Sequence, residues 1–115
     1  MKLSTEKHPS YAIILVEGSL TNENLSLFER ELRGTLDAGL NILIDFSLLT
    51  FIASSDLGLL LSFHAQSRAK SQRMALFGMS EDLRKIFFLT ELTKHLAIYP
   101  DREEAITNIE APGRR

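Results

Sequence analysis

Short apolar runs alternate with longer amphipathic segments along most of the chain. Four runs rich in aliphatic and β-branched residues predict buried β-strands. They occupy residues 11–16, 41–46, 73–78 and 96–99. The more polar segment 3–8 alternates weakly between apolar and polar positions, which predicts a fifth strand at the edge of a sheet.

Three of the intervening segments place apolar residues three and four positions apart, as amphipathic helices do. The first helix is predicted to open at Thr21 and Asn24 and to end at Gly39. Ser80 and Asp101 are expected to cap two later helices. The predicted inward residues of these three helices are Leu25, Phe28, Leu32 and Leu36, then Leu83, Ile86, Phe87 and Leu89, and finally Ala105, Ile106 and Ile109.

A further helix is predicted to begin at Ser54, Ser55 and Asp56, after strand 41–46 and a short loop. It carries more apolar residues than one buried face requires. We expect its buried stripe to consist of Leu57, Leu60, Leu61, His64, Ala65 and Arg68.

Leu59 and Phe63 lie off this stripe, and Phe88 adjoins the inward Phe87 of the next helix. Leu59, Phe63 and Phe88 are therefore predicted to form an exposed apolar patch, whereas Phe87 is predicted to lie in the core with Leu57 and Leu61. Exposed apolar patches often bind proteins. Small domains also expose scattered hydrophobic residues routinely, so both interpretations stay open.

Strands that alternate with helices of about ten or more residues are typical of βαβ units with parallel strands. The first two strands are too close in sequence for such a crossover and should pair antiparallel. The sequence thus predicts one α/β domain over residues 1–110. Its sheet should be mixed and mostly parallel, with about five strands, an antiparallel edge and a cover of about four helices. Residues 111–115 are predicted to be a flexible tail.

Charge and composition exclude several classes of function. With 13 basic and 15 acidic residues the chain has a net charge of −2, so nucleic acid is not expected as a partner. The absence of cysteine excludes disulfides. No apolar run is long enough to span a bilayer, and the first residues lack the apolar stretch of a signal peptide. We therefore expect a cytoplasmic protein without membrane insertion.

The residues with chemical potential form no recognisable catalytic set. His8, His64 and His95 are too widely spaced for a typical zinc motif. Gly58 stands alone rather than in a glycine-rich loop that binds phosphates. We therefore expect no enzymatic activity, no metal and no cofactor.

Ser54, Ser55 and Asp56 permit two interpretations. Hydroxyl and carboxylate side chains commonly cap the start of a helix. The same position presents unpaired N–H groups and a partial positive charge, which favour a phosphate. The residues alone allow either a cap or a phosphorylated serine.

Four segments in register resemble the STAS domains of bacterial anti-sigma factor antagonists. The segment Phe51-Ile-Ala-Ser-Ser-Asp-Leu-Gly is similar to the phosphorylation motif of that family. The other three segments are 75–80, 84–92 and 98–105, so the resemblance extends from Gly18 to about Ile106. It implies the same mixed α/β architecture as the periodicity.

The resemblance also implies a function, that of an anti-sigma factor antagonist acting by partner switching. Ser55 matches the family's phosphate acceptor. The unphosphorylated protein would bind an anti-sigma factor with a histidine-kinase-like ATPase fold, phosphorylation by that kinase would release it, and a serine phosphatase would restore binding. The implied partner-binding residues are Thr21, Ala53, Ser54, Ser55, Asp56, Leu59, Phe63 and Phe88.

Three positions depart from the family's pattern. Thr21 and Ala53 stand where acidic residues are usual, and Asp56 replaces a glycine. Asp56 is expected to interact favourably with the helix dipole and to repel a phosphate on Ser55. The alternative function is therefore a STAS adaptor that is not phosphorylated, including a subunit of a lipid or anion transport system.

Overall fold

Five β-strands form one sheet in the computed structural model, which describes residues 1–110. The strands are β1 (Lys2–Lys7), β2 (Tyr11–Leu20), β3 (Asn41–Ile52), β4 (Met74–Phe77) and β5 (Ala97–Tyr99). They lie in sequence order, with β1 antiparallel to β2 and the other neighbours parallel. The predicted mixed, mostly parallel sheet with an antiparallel edge is confirmed. The predicted tail, residues 111–115, lies outside the described residues.

Within residues 1–110, four α-helices cover the two faces of this sheet. They are α1 (Leu25–Asp37), α2 (Ser54–Ala69), α3 (Glu81–Leu89) and α4 (Arg102–Ile109). Buried residues of α1, α2 and α3 pack on one face, and those of α4 pack on the other. The predicted single α/β domain is therefore confirmed.

Three of the helix ends follow the predicted capping chemistry. The Ser80 hydroxyl accepts a hydrogen bond from the backbone N–H of Leu83 at 3.2 Å, and the Asp101 carboxylate accepts one from Glu104 at 2.9 Å. Gly39 follows α1 with a φ of +78°, a conformation that favours glycine. These residues set where the helices begin or end, as predicted.

β2 and β3 are longer than predicted, since they continue past the expected ends at residues 16 and 46. The additional residues pair with each other, from Glu17 opposite Leu48 to Leu20 opposite Ile52, across two register shifts. This pairing satisfies backbone N–H and C=O groups that would otherwise bind water. Because the register shifts interrupt the alternation of buried and exposed residues, the sequence pattern does not reveal these strand ends. As a result β3 leads into α2 with Ala53 alone between them.

α2 buries a different face from the predicted one. Its buried residues are Asp56, Leu60, Phe63 and Ser67, so the buried stripe is rotated by about 100° from the prediction. Phe63 is 1% exposed, and the prediction that it is exposed is wrong. Apolar residues on several sides of α2 make its orientation ambiguous in the sequence. The buried face also contains the polar residues Asp56 and Ser67, which a hydrophobic pattern assigns to the surface.

The remaining side chains of α2 and α3 give a mixed result. Leu57, Leu59 and Leu61 are partly buried and pack against the core, so Leu59 is not the exposed anchor that was predicted. In α3, Phe87 is fully buried and Phe88 is 69% exposed, as predicted. The predicted inward positions of Ile86 and Leu89 are wrong because these residues are 39% and 77% exposed.

Candidate functional site

The junction between β3 and α2 carries the serines that the sequence singled out. Ala53 is the N-cap residue, with extended backbone angles, and its carbonyl accepts hydrogen bonds from the N–H groups of Asp56 and Leu57 at 3.0 and 3.3 Å. Ser54 and Ser55 are the first two helical residues, and no side chain caps this helix. The interpretation of the serines as helix caps is therefore wrong.

Ser55 is partly exposed and contacts a neighbouring loop. Its hydroxyl donates a hydrogen bond to the side-chain oxygen of Asn22. Ser54 beside it is exposed and has no side-chain hydrogen bond among residues 1–110. Of the two adjacent serines, Ser55 is therefore the one whose hydroxyl is held in place by a hydrogen bond.

The loop between β2 and α1 is anchored by its own hydrogen bonds. Leu20 accepts from the backbone N–H of Ala53 at 3.0 Å, which fastens the loop to the start of α2. Asn24 accepts from the N–H of Thr21 and donates to the carbonyl of Ser19, both at 2.9 Å. This bracing brings Thr21 and Asn22 close to Ser55.

The start of α2 favours a negative charge beside Ser55. The first N–H groups of a helix have no intrahelical partner, and the helix start carries about half a positive charge. The polar neighbour of the hydroxyl is the amide of Asn22, which is not a proton acceptor of useful basicity. No cluster of three potential metal ligands occurs within the described part of the chain.

Asp56 lies inside the protein and not on the surface of this site. Its side chain is fully buried, and neither carboxylate oxygen has a hydrogen-bond partner among residues 1–110. Burial raises the pKa of this carboxyl, and the nearby backbone N–H groups of Ala53 and Asp56, which lie outside hydrogen-bond geometry, oppose the shift only in part. The prediction that Asp56 binds a partner does not fit this position, because a partner cannot touch the side chain without a rearrangement. Because a raised pKa favours the neutral carboxyl, burial weakens the repulsion expected between Asp56 and a phosphate on Ser55.

The other predicted binding residues do not form one patch. Phe63 lies in the core with the Arg33 guanidinium 4.7 Å from its ring centroid. Leu59 packs at the margin of the core, and Phe88 is exposed on α3. Of the predicted set, the structure brings Thr21, Ala53, Ser54 and Ser55 together, through the contacts between the two loops described above.

Sequence reasoning missed three residues at this junction. Asn22 holds the Ser55 hydroxyl, and its only sequence signal is its position in the polar run that follows Leu20. Leu48 and Phe51 are 51% and 53% exposed on the last part of β3. They look like core residues in the sequence, and only the shifted strand register turns them outward.

No helix in residues 1–110 combines the length and the apolar character needed to cross a membrane.

Comparison with known proteins gives one family. A family model described as the STAS domain matches residues 2–105, whereas no curated protein sequence matches the chain. The fold is similar to that of the anti-sigma factor antagonist SpoIIAA in its unphosphorylated form, with a TM-score of 0.79 and 22% identity over 94% of this chain and 96% of that one. An anti-sigma factor antagonist from Mycobacterium paratuberculosis has a TM-score of 0.86 and 20% identity over 96% and 94% of the two chains.

Two other solved structures share this fold. SpoIIAA from Bacillus has also been solved in a phosphorylated form, which matches with a TM-score of 0.72 and 22% identity over 95% of this chain and all of that one. The murine anion transporter Slc26a9 matches with a TM-score of 0.75 and 10% identity over 91% of this chain but only 18% of the transporter. Since the family model covers residues 2–105, the chain belongs to the STAS domain family and shares the fold of its anti-sigma factor antagonists.

Proposed function

We propose that the protein is an anti-sigma factor antagonist whose binding to its partner is switched by phosphorylation of Ser55. The observation that carries this proposal is the position of Ser55, a partly exposed hydroxyl in the first turn of α2 that does not cap the helix. Modification of a hydroxyl without a capping role leaves the start of the helix intact. The structural similarity to SpoIIAA, which is known in unphosphorylated and phosphorylated forms, supports the proposal.

The proposed partner is an anti-sigma factor with a histidine-kinase-like ATPase fold. It would transfer the γ-phosphoryl group of ATP to the Ser55 oxygen, releasing ADP, while a base on the kinase takes the hydroxyl proton. A serine phosphatase would then hydrolyse the phosphoserine and return the protein to its binding state.

Phosphorylation would act mainly at the interface with the partner. A phosphoserine adds about 1.5 to 2 negative charges and three acceptor oxygens. The N–H groups and dipole at the start of α2 stabilise this charge within the domain, whereas a partner surface fitted to a neutral hydroxyl would be repelled. Asn22 loses the proton that its oxygen accepts, but its amide can rotate to donate to the phosphate. Release therefore needs no refolding of the antagonist.

The proposed contact surface surrounds the serines and extends along the end of β3. It includes the exposed Ser54 and Asn22, and the apolar side chains of Leu48 and Phe51. Phe88 on α3 would contact a partner that is large enough to reach it. Large side chains such as Phe51 commonly supply much of the binding energy when a partner covers them.

A STAS adaptor that is not phosphorylated is the second candidate. Ala53 and Asp56 favour it, because these neighbours of the serines depart from the phosphorylation motif of the family. The similarity to part of Slc26a9 makes a subunit of a transport system one form of this candidate.

Site-specific phosphorylation separates the two candidates. The full chain would be incubated with ATP, Mg²⁺ and each purified kinase-like ATPase from the same genome, and the phosphate would be located by mass spectrometry. We expect one phosphate on Ser55, none in Ser55→Ala, and normal incorporation in the matched control Ser54→Ala. Phosphate on Ser54 or Ser47 would refute the residue assignment. Stable binding to such an ATPase without any phosphate transfer would favour the adaptor.

A further inference from the structure

A second possible site lies at the end of α2 that is far from Ser55. A cavity of about 220 Å³ opens there, between the last turns of α2 and α4 and the first residues of β4 and β5. Arg68 on the cavity wall lies thirteen positions after Ser55 in α2, which corresponds to about 20 Å along the helix axis. The cavity is therefore separate from the proposed phosphorylation surface.

Two guanidinium groups make the cavity electropositive. Arg68 lines it, and its guanidinium group has no hydrogen-bond or ion-pair partner among residues 1–110. Arg73 also lines it, and one of its terminal nitrogens donates to the carbonyls of Asn108 and Ile109 at 3.1 and 3.2 Å. The C-terminal ends of α2 and α4 contribute about half a negative charge each. Because the two guanidiniums outweigh these dipoles and no described lining residue is acidic, the cavity favours an anion.

The imidazole of His64 forms part of the cavity wall. The Nδ1 atom of His64 is buried and has no hydrogen-bond partner in the described part of the chain. Burial, followed by the positive neighbours Arg68 and His95, lowers the pKa of His64, which keeps the imidazole neutral near pH 7. The imidazole therefore adds no charge to the cavity wall, and its enclosed Nδ1 atom makes no contact with a ligand in the cavity.

The remaining wall combines the polar side chains of Gln72 and Asn108 with a mainly apolar stretch. Met74 and Ala75 are buried on it, and Ala97 and Tyr99 are partly exposed. The volume exceeds the roughly 150 Å³ of a cavity that holds benzene and is below the roughly 300 Å³ at which drug-sized pockets begin. A single ring or a short aliphatic body therefore fits this wall.

We propose that this cavity binds a small organic anion, in which a single ring or short aliphatic body carries a carboxylate or a phosphate. Arg68 and the available nitrogens of Arg73 bind the anionic group, and Met74, Ala75 and Tyr99 surround the body. The proposal is independent of the function proposed for Ser55, since it rests on other residues.

Titrations followed by NMR test this proposal with defined probes. The ¹⁵N-labelled full chain is titrated with sodium benzoate and with phenyl phosphate, which separate a carboxylate ligand from a phosphate ligand. Benzyl alcohol supplies the ring without charge, and acetate and inorganic phosphate supply charge without a ring. We expect saturable shifts at the amides of Met74, Ala75 and Ala97, with at least one aromatic anion binding tenfold or more tightly than any control.

Two variants and a matched control make the assignment specific. Arg68→Gln should weaken the binding of the aromatic anion at least tenfold, whereas Lys70→Gln, which removes a nearby exposed charge outside the cavity wall, should change it less than twofold. Ala97→Leu should fill the cavity and abolish binding. Absence of saturable shifts through the millimolar range, equal binding of benzyl alcohol, or an equal loss in Arg68→Gln and Lys70→Gln would each overturn the proposal.

Discussion

The buried carboxyl of Asp56 makes folding stability depend on pH in a predictable direction. Its side chain is fully buried without a hydrogen-bond partner, and burial raises its pKa above the ordinary value. Between the pKa of the unfolded chain, about 4, and the higher pKa of the folded state, the folded state binds more protons. The free energy of unfolding contributed by this group therefore falls as the pH rises through that interval.

Asp56→Asn replaces the carboxyl with a neutral group of nearly the same shape. Wild type and variant should be about equally stable below about pH 3, where the carboxyl is protonated in both the folded and the unfolded state. Above that pH the variant should become the more stable protein, and the difference should grow by at most about 1.4 kcal/mol per pH unit. It should level off once the carboxyl of the folded wild type is ionised.

Urea unfolding of both proteins, at intervals from about pH 4.5 to 8, measures this difference directly. Subtracting one curve from the other removes the contributions of all groups that the two proteins share. The exposed Glu23 provides a control, because Glu23→Gln should change the free energy of unfolding by less than about 0.5 kcal/mol. A difference between Asp56→Asn and wild type that is constant or shrinks with rising pH would refute the account of Asp56 as a buried, unpaired acid.

Three further predictions concern the core, a turn and the binding surface. Phe63→Ala should lose about 3–5 kcal/mol of stability in urea unfolding because Phe63 is buried, whereas Phe88→Ala should change stability by less than about 0.5 kcal/mol; equal losses would contradict the reported burial. Gly78→Ala should lose about 1–2 kcal/mol or more, because Gly78 has a φ of +78° and an added Cβ would lie 3.2 Å from that of Ser47; an unchanged melting temperature would argue against this backbone. Phe51→Ala should weaken binding of the anti-sigma factor by about 1–4 kcal/mol in calorimetry with little loss of stability, and unaltered affinity would remove Phe51 from the surface.

Much of the fold was predictable because it follows from local rules. Each βαβ unit places an apolar run beside an amphipathic segment, and short connections order the strands. The caps at Ser80 and Asp101 and the end of α1 at Gly39 depend on residues within a few positions, so the sequence states them directly. The extension of β2 and β3 was missed because it depends on the pairing of two distant segments across register shifts.

The orientation of α2 was not predictable for a related reason. Its many leucines make several faces almost equally apolar, and tertiary packing chooses the face that contains Asp56 and Phe63. The site was predictable in part: the serines lie at the start of α2, but Asn22 faces Ser55 only because a separately anchored loop is fastened to Ala53. Contacts of this kind, between residues 33 positions apart, leave no local pattern.

The central claim, that Ser55 switches the binding of a partner, is tested most directly by comparing two affinities. The dissociation constant of the purified anti-sigma factor would be measured by calorimetry for the unphosphorylated protein and for the same protein phosphorylated on Ser55. The account predicts that the phosphate weakens binding at least a hundredfold while the thermal stability of the antagonist stays nearly unchanged. Equal affinities for the two forms would contradict it.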